Sequence, residues 1–433
     1  MLQKFSMLLF LTFFVLVMFL PRLHANAVEP SVQSSVSWWN AANYRALVDS
    51  ALNPDNNTFK QPQRGATSEI RPDIKLLTDL LVVRARPRFI GTLSRATWGD
   101  QQKATDSSAK IQWSEIYTSG EAFDGLAMAY GLQNFQWGPA ESVSPSNQIF
   151  HETIQVKDIL YDTRGHHLMR VNFTPMQELS EVFLIELTGN GESEFTAEES
   201  FLKKLALKSE YSWGGGADYG GLILGQKLRG DFWLGEYLNL DVYQGLSFYL
   251  DASQQIGSSA WYPTKDPVSD VIVFTQAQKN SNHIYNFSVT GLRYAFENGN
   301  DLRFEWIFQE AGYTQDEVSD AWTALTSKNI VQLMQLQQNF PRAQRNGLSF
   351  PGQNYVFASL RIPDAFKFKD WTLYGRLLTS LQDGSMSFHM SSESAMGDAG
   401  TIFTTLGLTT VSPQSELRGP VATAFTLGYR HTW

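Results

Sequence analysis

The stretch GPVATAFTLGYRHTW, residues 419–433, decides the fold. Val421, Thr423, Phe425, Leu427, Tyr429, His431 and Trp433 fall on one face of an extended chain. Ala422, Ala424, Thr426, Gly428, Arg430 and Thr432 fall on the other. A period of two makes this a β-strand, because successive side chains of an extended backbone point to opposite sides. One face is apolar and aromatic; the other is small or polar.

Working back from this strand, the chain repeats the pattern. Segments of about ten residues alternate apolar and polar positions between clusters of Gly, Asp, Asn, Ser and Pro. In 68–76, Ile70, Ile74 and Leu76 oppose Glu69, Arg71, Asp73 and Lys75; in 302–309, Leu302, Phe304 and Trp306 oppose Arg303 and Glu305. Such strands are predicted at 67–76, 80–91, 109–118, 123–133, 166–174, 178–188, 202–213, 217–227, 242–252, 269–278, 283–296, 301–311, 353–362, 369–380, 384–391, 400–410 and 418–433.

At the other end of the chain, Lys4, the apolar run Met7–Leu20, Arg22 and Ala25-Asn26-Ala27 have the order of a secretory signal peptide, residues 1–27. The run of 14 residues is too short to span a bilayer as a helix. Removal of the leader changes the formal charge from −9 to −11, since it carries two basic residues and no acidic one. An acidic, exported chain disfavours nucleic-acid binding. The absence of cysteine excludes disulfides, thiolate metal sites and a thiol nucleophile. No cofactor or metal site is expected.

The fold class expected is all-β, a transmembrane antiparallel β-barrel covering 67–433. Seventeen strands conflict with the even number usual in bacterial barrels, so 18 is the first expectation and 16 the second. Residues 28–66 are expected to carry a helix from Trp38 to Leu52, capped by Ser37 and lying in the lumen or the periplasm, because Trp38, Ala41, Tyr44, Leu47, Val48, Ala51 and Leu52 form a helical stripe. A second helix is expected from Val318 to Gln338. Linkers alternate in length, with 78–79 tight and 92–108 and 134–165 long. A barrel of this size encloses an aqueous lumen unless loops fold into it.

The last strand resembles the C-terminal signal that outer-membrane barrels present to their assembly machinery, carried by Gly428, Tyr429 and Trp433; His431 departs from the usual apolar residue. Gly131 to Pro139 (GLQNFQWGP), continuing to Ser144-Pro145-Ser146-Asn147, and Gly291-Leu292-Arg293-Tyr294 with Glu297-Asn298-Gly299, Phe304-Glu305-Trp306 and Gly312-Tyr313, are similar to patterns in large porin-like outer-membrane proteins, the alginate-export type among them. The Trp137-Gly138-Pro139 step also looks like the capsule-assembly barrel. The resemblance implies a bacterial outer-membrane location, contact with outer-membrane lipid and lipopolysaccharide, and the barrel-assembly machinery as a partner.

Charge marks the candidate site. Arg84, Arg86 and Arg88 share one face of a strand, and Arg71 and Lys75 share a face of its hairpin neighbour, with Asp73 between them. An arginine at the bilayer midplane costs about 2–4 kcal/mol, so these residues are expected to line the lumen as a basic ladder that attracts anions. Arg170, Arg303 and Arg376 are added on the same logic. The rival reading is scaffolding: Asp73, Glu305, Asp370 or an inward loop would neutralise the ladder. Pro72 and Pro87 predict bulges there. The expected function is passive passage of small hydrophilic solutes, with a bias toward anionic or sugar-acid solutes. The alternative is export or surface anchoring of polysaccharide. A hydrolase is the remote one, resting on Ser387 and His389 sharing a face with no orienting acid in sight. His166 and His167 point to opposite faces and make no metal clamp.

Overall fold

The computed structural model describes residues 30–49, 53–57, 60–99, 102–150, 159–163, 165–188, 204–227, 232–258, 260–267, 269–276, 282–326, positions scattered through 332–343, 347–410, 417 and 421–433. The leader 1–27 and the acidic cluster Glu192, Glu194, Glu198 and Glu199 lie outside the described residues.

Twenty strands occur in the order β1 (Ser31–Leu47), β2 (Pro62–Leu77), β3 (Val82–Trp98), β4 (Gln102–Phe123), β5 (Leu126–Gln133), β6 (His166–Met176), β7 (Leu179–Thr188), β8 (Lys204–Trp213), β9 (Asp218–Lys227), β10 (Phe232–Tyr243), β11 (Leu246–Ile256), β12 (Tyr262–Lys265), β13 (Ile272–Thr275), β14 (Ile284–Ala295), β15 (Asp301–Gln309), β16 (Asn354–Ile362), β17 (Trp371–Ser380), β18 (Met386–Met396), β19 (Gly400–Thr409) and β20 (Val421–Thr432). Of these twenty strands among the described residues, eighteen form one antiparallel sheet; β12 and β13 form a separate hairpin. Each wall strand pairs with its neighbours in sequence, and β1 pairs with both β2 and β20, which closes the barrel.

The exterior is apolar. Ile70, Ile74 and Leu76 on β2, Val83, Phe89 and Leu93 on β3, and Leu302, Phe304 and Trp306 on β15 are exposed, whereas Glu69 and Glu305 between them are buried. This inverts a water-soluble sheet and matches a lipid-facing band around a polar interior. Connections alternate between short turns and longer loops, and Ser31 and Trp433 both lie at the short-turn end. Gly125 and Gly245 sit in two of the tightest turns with φ of +78° and +82°, and a Cβ on either would lie 2.7 Å from the Thr174 carbonyl oxygen of β6 or 2.4 Å from the Ala295 carbonyl oxygen of β14.

Four expectations are corrected. The segment expected as a helix over 38–52 is β1 as far as Leu47, and Val48 and Asp49 follow it without regular structure. Val36, Trp38, Ala42 and Tyr44 face outward while Ser37, Trp39, Ala41 and Asn43 face inward, and the alanines at 41 and 42 had fitted both periods. The barrel therefore begins at Ser31 rather than at 67. The strand expected at 269–278 contributes β13 to the separate hairpin, and its place in the wall is taken by β10, which had not been read as a strand. The inner face of β10 carries Trp233 and Tyr237, packed against an inward loop, so both its faces are apolar and alternation vanishes. Residues 92–108, expected as a long linker, continue the β3–β4 ladder from Gly91↔Ala109 to Trp98↔Gln102. Residues 102–111 are exposed on both faces, which removes the apolar contrast but not the backbone pairing. Finally, the outer helix α1 spans Gln315–Thr326, starting earlier than Val318. Thr314 and Glu317 exchange side-chain bonds to each other's backbone N–H groups, a capping box that sets its start.

At the seam, Gly428 lies opposite Phe403, whose ring occupies the space over the glycine. A Cβ there would lie 2.2 Å from the ring and 2.7 Å from the Asn40 carbonyl oxygen. Gly428→Val is expected to destabilise closure by about 1–3 kcal/mol or more through overpacking. Loss of the compact, heat-modifiable band on electrophoresis would report it; an unchanged band would contradict this role.

Candidate functional site

Residues 134–150 leave β5 at the outer end and turn into the lumen, and carboxylates on the opposite wall hold them there. The backbone N–H groups of Glu141 and Ser142 donate to Glu305 of β15 at 2.7 and 3.0 Å, and the Tyr249 hydroxyl donates to the same carboxylate at 2.7 Å. Ser144 Oγ and Ser146 N donate to Asp251 of β11 at 2.7 and 2.8 Å. Hydrogen bonds to a charged acceptor contribute roughly 1.5–3 kcal/mol each, so these two buried carboxylates act as the loop's main fastening. Gly138, with φ of +90°, passes so close to Asp251 that a Cβ would lie 2.0 Å from the carboxylate.

Further along, Trp137, Ile149 and Phe150 pack on inward residues of β6 to β10, among them Leu168, Val182, Leu184 and Ile223. Lys204 Nζ donates to the Gln148 carbonyl at 2.8 Å. Ile159 and Leu160 reach Trp39, Ala41 and Phe403 at the barrel seam, and Arg71 donates to the Leu160 carbonyl at 2.6 Å. The described parts of this loop, 134–150 and 159–163, thus touch both walls. The GLQNFQWGP and SPSN stretches, which in sequence read as strand-and-turn grammar, supply the end of β5 and this anchor.

What the loop leaves is a polar cavity of about 550 Å³, lined in part by Trp39, Arg71, Asp73, Arg86, Arg88, Asp162 and Arg430. Arg71, Arg84, Arg86 and Arg88 come together as expected, but within an ion-pair network. Arg84 pairs with Asp73 at 2.8 Å and Glu115 at 3.5 Å. Arg86 meets Glu115 at 3.4 Å and both Asp73 and Asp162 at 3.7 Å. Glu69 holds Arg71 at 2.9 Å and Arg88 on its other side. The scaffolding reading therefore describes part of the truth: four carboxylates answer these four guanidinium groups. Lys75 faces inward on the same strand as Arg71. Arg170 stands on the Phe135 ring, 4.4 Å from its centroid, with no ion pair to a described carboxylate.

The prolines act as predicted. Between Ile70↔Phe89 and Ile74↔Ala85 the β2–β3 register carries no pairs, and the β3–β4 register shifts between Arg86 and Pro87. The resulting distortion falls where the arginines converge.

Arg303 and Arg376 lie elsewhere on the wall. Arg303 pairs with Glu141 and Asp301, both at 3.3 Å. Arg376 bonds the His389 ring nitrogen Nδ1 at 2.6 Å beside a separate cavity of about 200 Å³. That contact makes Nδ1 of His389 an acceptor from a cation, the reverse of a catalytic histidine steadied by an acid. His166 bonds Glu186 at 2.7 Å, while His167 meets the Tyr130 ring from the other face.

Sequence reading missed Arg430, Trp39, Glu115 and Asp162. Arg430 and Arg71 flank the Trp39 ring at 4.9 and 4.3 Å, extending the basic row across the seam, and Arg430 also meets Glu393 at 3.4 Å. The inward alternation of β20 had already placed Arg430 on the polar face, so a signal existed. Asp162 had none, because it sits in a loop 74 residues from Arg88.

A closed 18-stranded barrel with a lipid-facing exterior and a loop folded into its lumen has the fold of a porin-like outer-membrane barrel. No protein-family model matches the chain, and no curated relative matches it. Its fold is similar to that of OccAB1 of Acinetobacter baumannii (TM-score 0.53, 9% identity, covering 93% of this chain and 96% of that one). It is likewise similar to OccK2 (OpdF) of Pseudomonas aeruginosa (TM-score 0.52, 9% identity, 94% and 99%) and to a BenF-like porin from Pseudomonas fluorescens Pf-5 (TM-score 0.50, 9% identity, 94% and 100%). OccK2 has also been crystallised in complex with glucuronate.

Burial in the loop raises the Glu141 carboxyl above its ordinary value of 4.5, against the opposing pull of Arg303. As pH falls, Glu141 takes its proton before ordinary carboxylates do and leaves Arg303 with one acidic partner fewer. Anion selectivity of the reconstituted protein is expected to rise on acidification at a pH above that ordinary value, and Glu141→Gln is expected to remove this step. A step unchanged in the variant would contradict the assignment.

Proposed function

We propose that the chain is a passive outer-membrane channel for small hydrophilic solutes, favouring anionic ones and sugar acids among them. The observation that carries this reading is the charge balance around the cavity. Arg71, Arg84, Arg86 and Arg88 meet Glu69, Asp73, Glu115 and Asp162, and Arg430 meets Glu393, while Lys75 and Arg170 bring further positive charge beside them against Asp398, which also lines the cavity. Arg84 and Arg86 keep about a third of their side-chain surface exposed, at 33% and 32%. They can therefore offer donors to a passing carboxylate without leaving their acids. A solute bound weakly at successive guanidinium groups can enter and still leave, which conduction requires. In a low-dielectric lumen the excess cations focus the field and raise the local anion concentration.

The size of the cavity supports a solute of about monosaccharide dimensions. A loop fastened to both walls disfavours export of a polymer through the lumen. The glucuronate complex of OccK2, a protein of similar fold, supports a sugar acid as the class to test first. The arrangement of Arg376 and His389 supports a non-enzymatic role, as does the similar fold of a protein named as a BenF-like porin. Gly428, Tyr429 and Trp433 sit on the closing strand, in keeping with recognition of its end by the assembly machinery during insertion.

In proteoliposomes at low ionic strength, glucuronate is expected to enter roughly tenfold faster than uncharged glucose, within the range that electrostatic focusing provides. Arg86→Glu, which reverses one charge in the centre of the network, is expected to abolish most of that preference. Equal rates for the two sugars in the unaltered protein would contradict the proposal.

A further inference from the structure

The outer wall of β1 to β3 carries a second feature, which is independent of what passes through the lumen. Outward-facing residues on β2 run from Leu76 to Ala66, and those on β3 from Val83 to Leu93, eleven residues in each case. That length matches the nine to eleven residues with which a tilted strand crosses a bilayer core. On both strands the next outward residue is an arginine, Arg64 on β2 and Arg95 on β3, and both are exposed. The two are directly opposite each other in the β2–β3 register. Lys103, exposed on β4, joins them, since it pairs with Thr97, two residues beyond Arg95 on the same face.

Like charges facing each other across strands destabilise a sheet. None of these three cations has an ion pair with a described residue, which contrasts with the arginines of the lumen. This cluster, without an ion pair among the described residues, lies at the outer end of the apolar band, where an anionic headgroup would sit.

Directly below it the lipid-facing wall is hollow. Ala42, Ala66, Ser68 and Gly91 present small side chains on three adjacent strands, bounded by Leu93 and Leu427, and leave an open apolar groove of about 740 Å³. Register places these residues side by side: Ala42↔Ala66, Ser68↔Gly91, Ala66↔Leu93 and Ala42↔Leu427. Ala66 and Leu93 are the outward residues immediately beneath Arg64 and Arg95, so groove and cations form one surface.

We propose that this surface binds one phosphorylated, acylated glycolipid of the outer leaflet. A phosphate bridges Arg64 and Arg95 with Lys103 at its edge, and an acyl chain lies in the groove. Guanidinium groups suit this task because their planar forks offer paired donors to phosphate oxygens. The phosphate would relieve the repulsion between the facing arginines, and the chain would fill a hollow that lipid packs poorly when it is flat-sided.

The test is native mass spectrometry of the assembled barrel in detergent, with bis-phosphorylated lipid A, fully dephosphorylated lipid A, phosphatidylethanolamine and inorganic phosphate as separate probes. The expected result is one retained bis-phosphorylated lipid A, with dephosphorylated lipid A binding about tenfold more weakly or worse. Arg64→Gln with Arg95→Gln should bring the phosphorylated lipid down to the dephosphorylated level. Gly91→Phe should weaken both forms by filling the groove; a Cβ at Gly91 meets only the Ser68 carbonyl oxygen, at 3.8 Å, so the fold has room for it. Equal retention of the two lipids by the unaltered protein would overturn the proposal, and that comparison needs no variant to fold. So would displacement of the lipid by millimolar inorganic phosphate alone, preferential retention of phosphatidylethanolamine, or self-association of the barrel that excludes lipid from this face.

Discussion

Every wall strand must have both of its backbone edges paired, because lipid offers no donor or acceptor to an unpaired peptide group. The whole structure follows from that constraint. It makes β1 indispensable: between Ser37 and Tyr44 its backbone pairs with β20 on one side and β2 on the other. Trp433 completes the seam, with its N–H donating to Val36 and its carbonyl accepting from Val36. An even strand count, both ends on the short-turn side and a continuous apolar exterior are consequences of this closure.

Closure also creates the interior that must be managed. A cylinder of 18 strands leaves more space than wall side chains fill, and here one loop occupies much of it. Asp251 and Glu305, buried on the far wall, hold that loop by its own N–H groups and hydroxyls, so the lumen's shape depends on two carboxylates that no solute need touch. The remaining cavity lies against the distorted part of the β2–β3 ladder. There the prolines interrupt regular pairing, and the arginines, drawn inward by the cost of facing lipid, meet the acids of β2, β4 and the loop.

Much of this was legible in the chain. The alternation of β20, β2 and β15 gave the barrel, and the rule that arginine avoids lipid gave the inward direction of Arg71, Arg84, Arg86 and Arg88. What could not be read has physical causes. Trp38, Ala41, Tyr44 and Leu47 satisfy a helical stripe as well as a strand, and only the need for a partner on each side of β1 selects the strand. The inner face of β10 is apolar because a loop packs on it, and that loop's path is set by contacts distant in sequence. The neutralising partners of the ladder were the hardest to foresee. Asp162 lies far along the chain in an irregular segment, and Glu115 follows the Pro87 bulge that shifts the face it shares. The fold was therefore readable almost strand by strand, while the site's charge balance depended on tertiary contacts.

The central claim is that the lumen, inside an acidic protein, is locally positive enough to favour anions. Its most direct test is the zero-current potential of the unaltered protein in a planar bilayer under a tenfold gradient of potassium chloride. The account predicts a potential with the sign of chloride selectivity at neutral pH, shrinking as ionic strength rises and screens the lumenal charge. A potential of the opposite sign would contradict it.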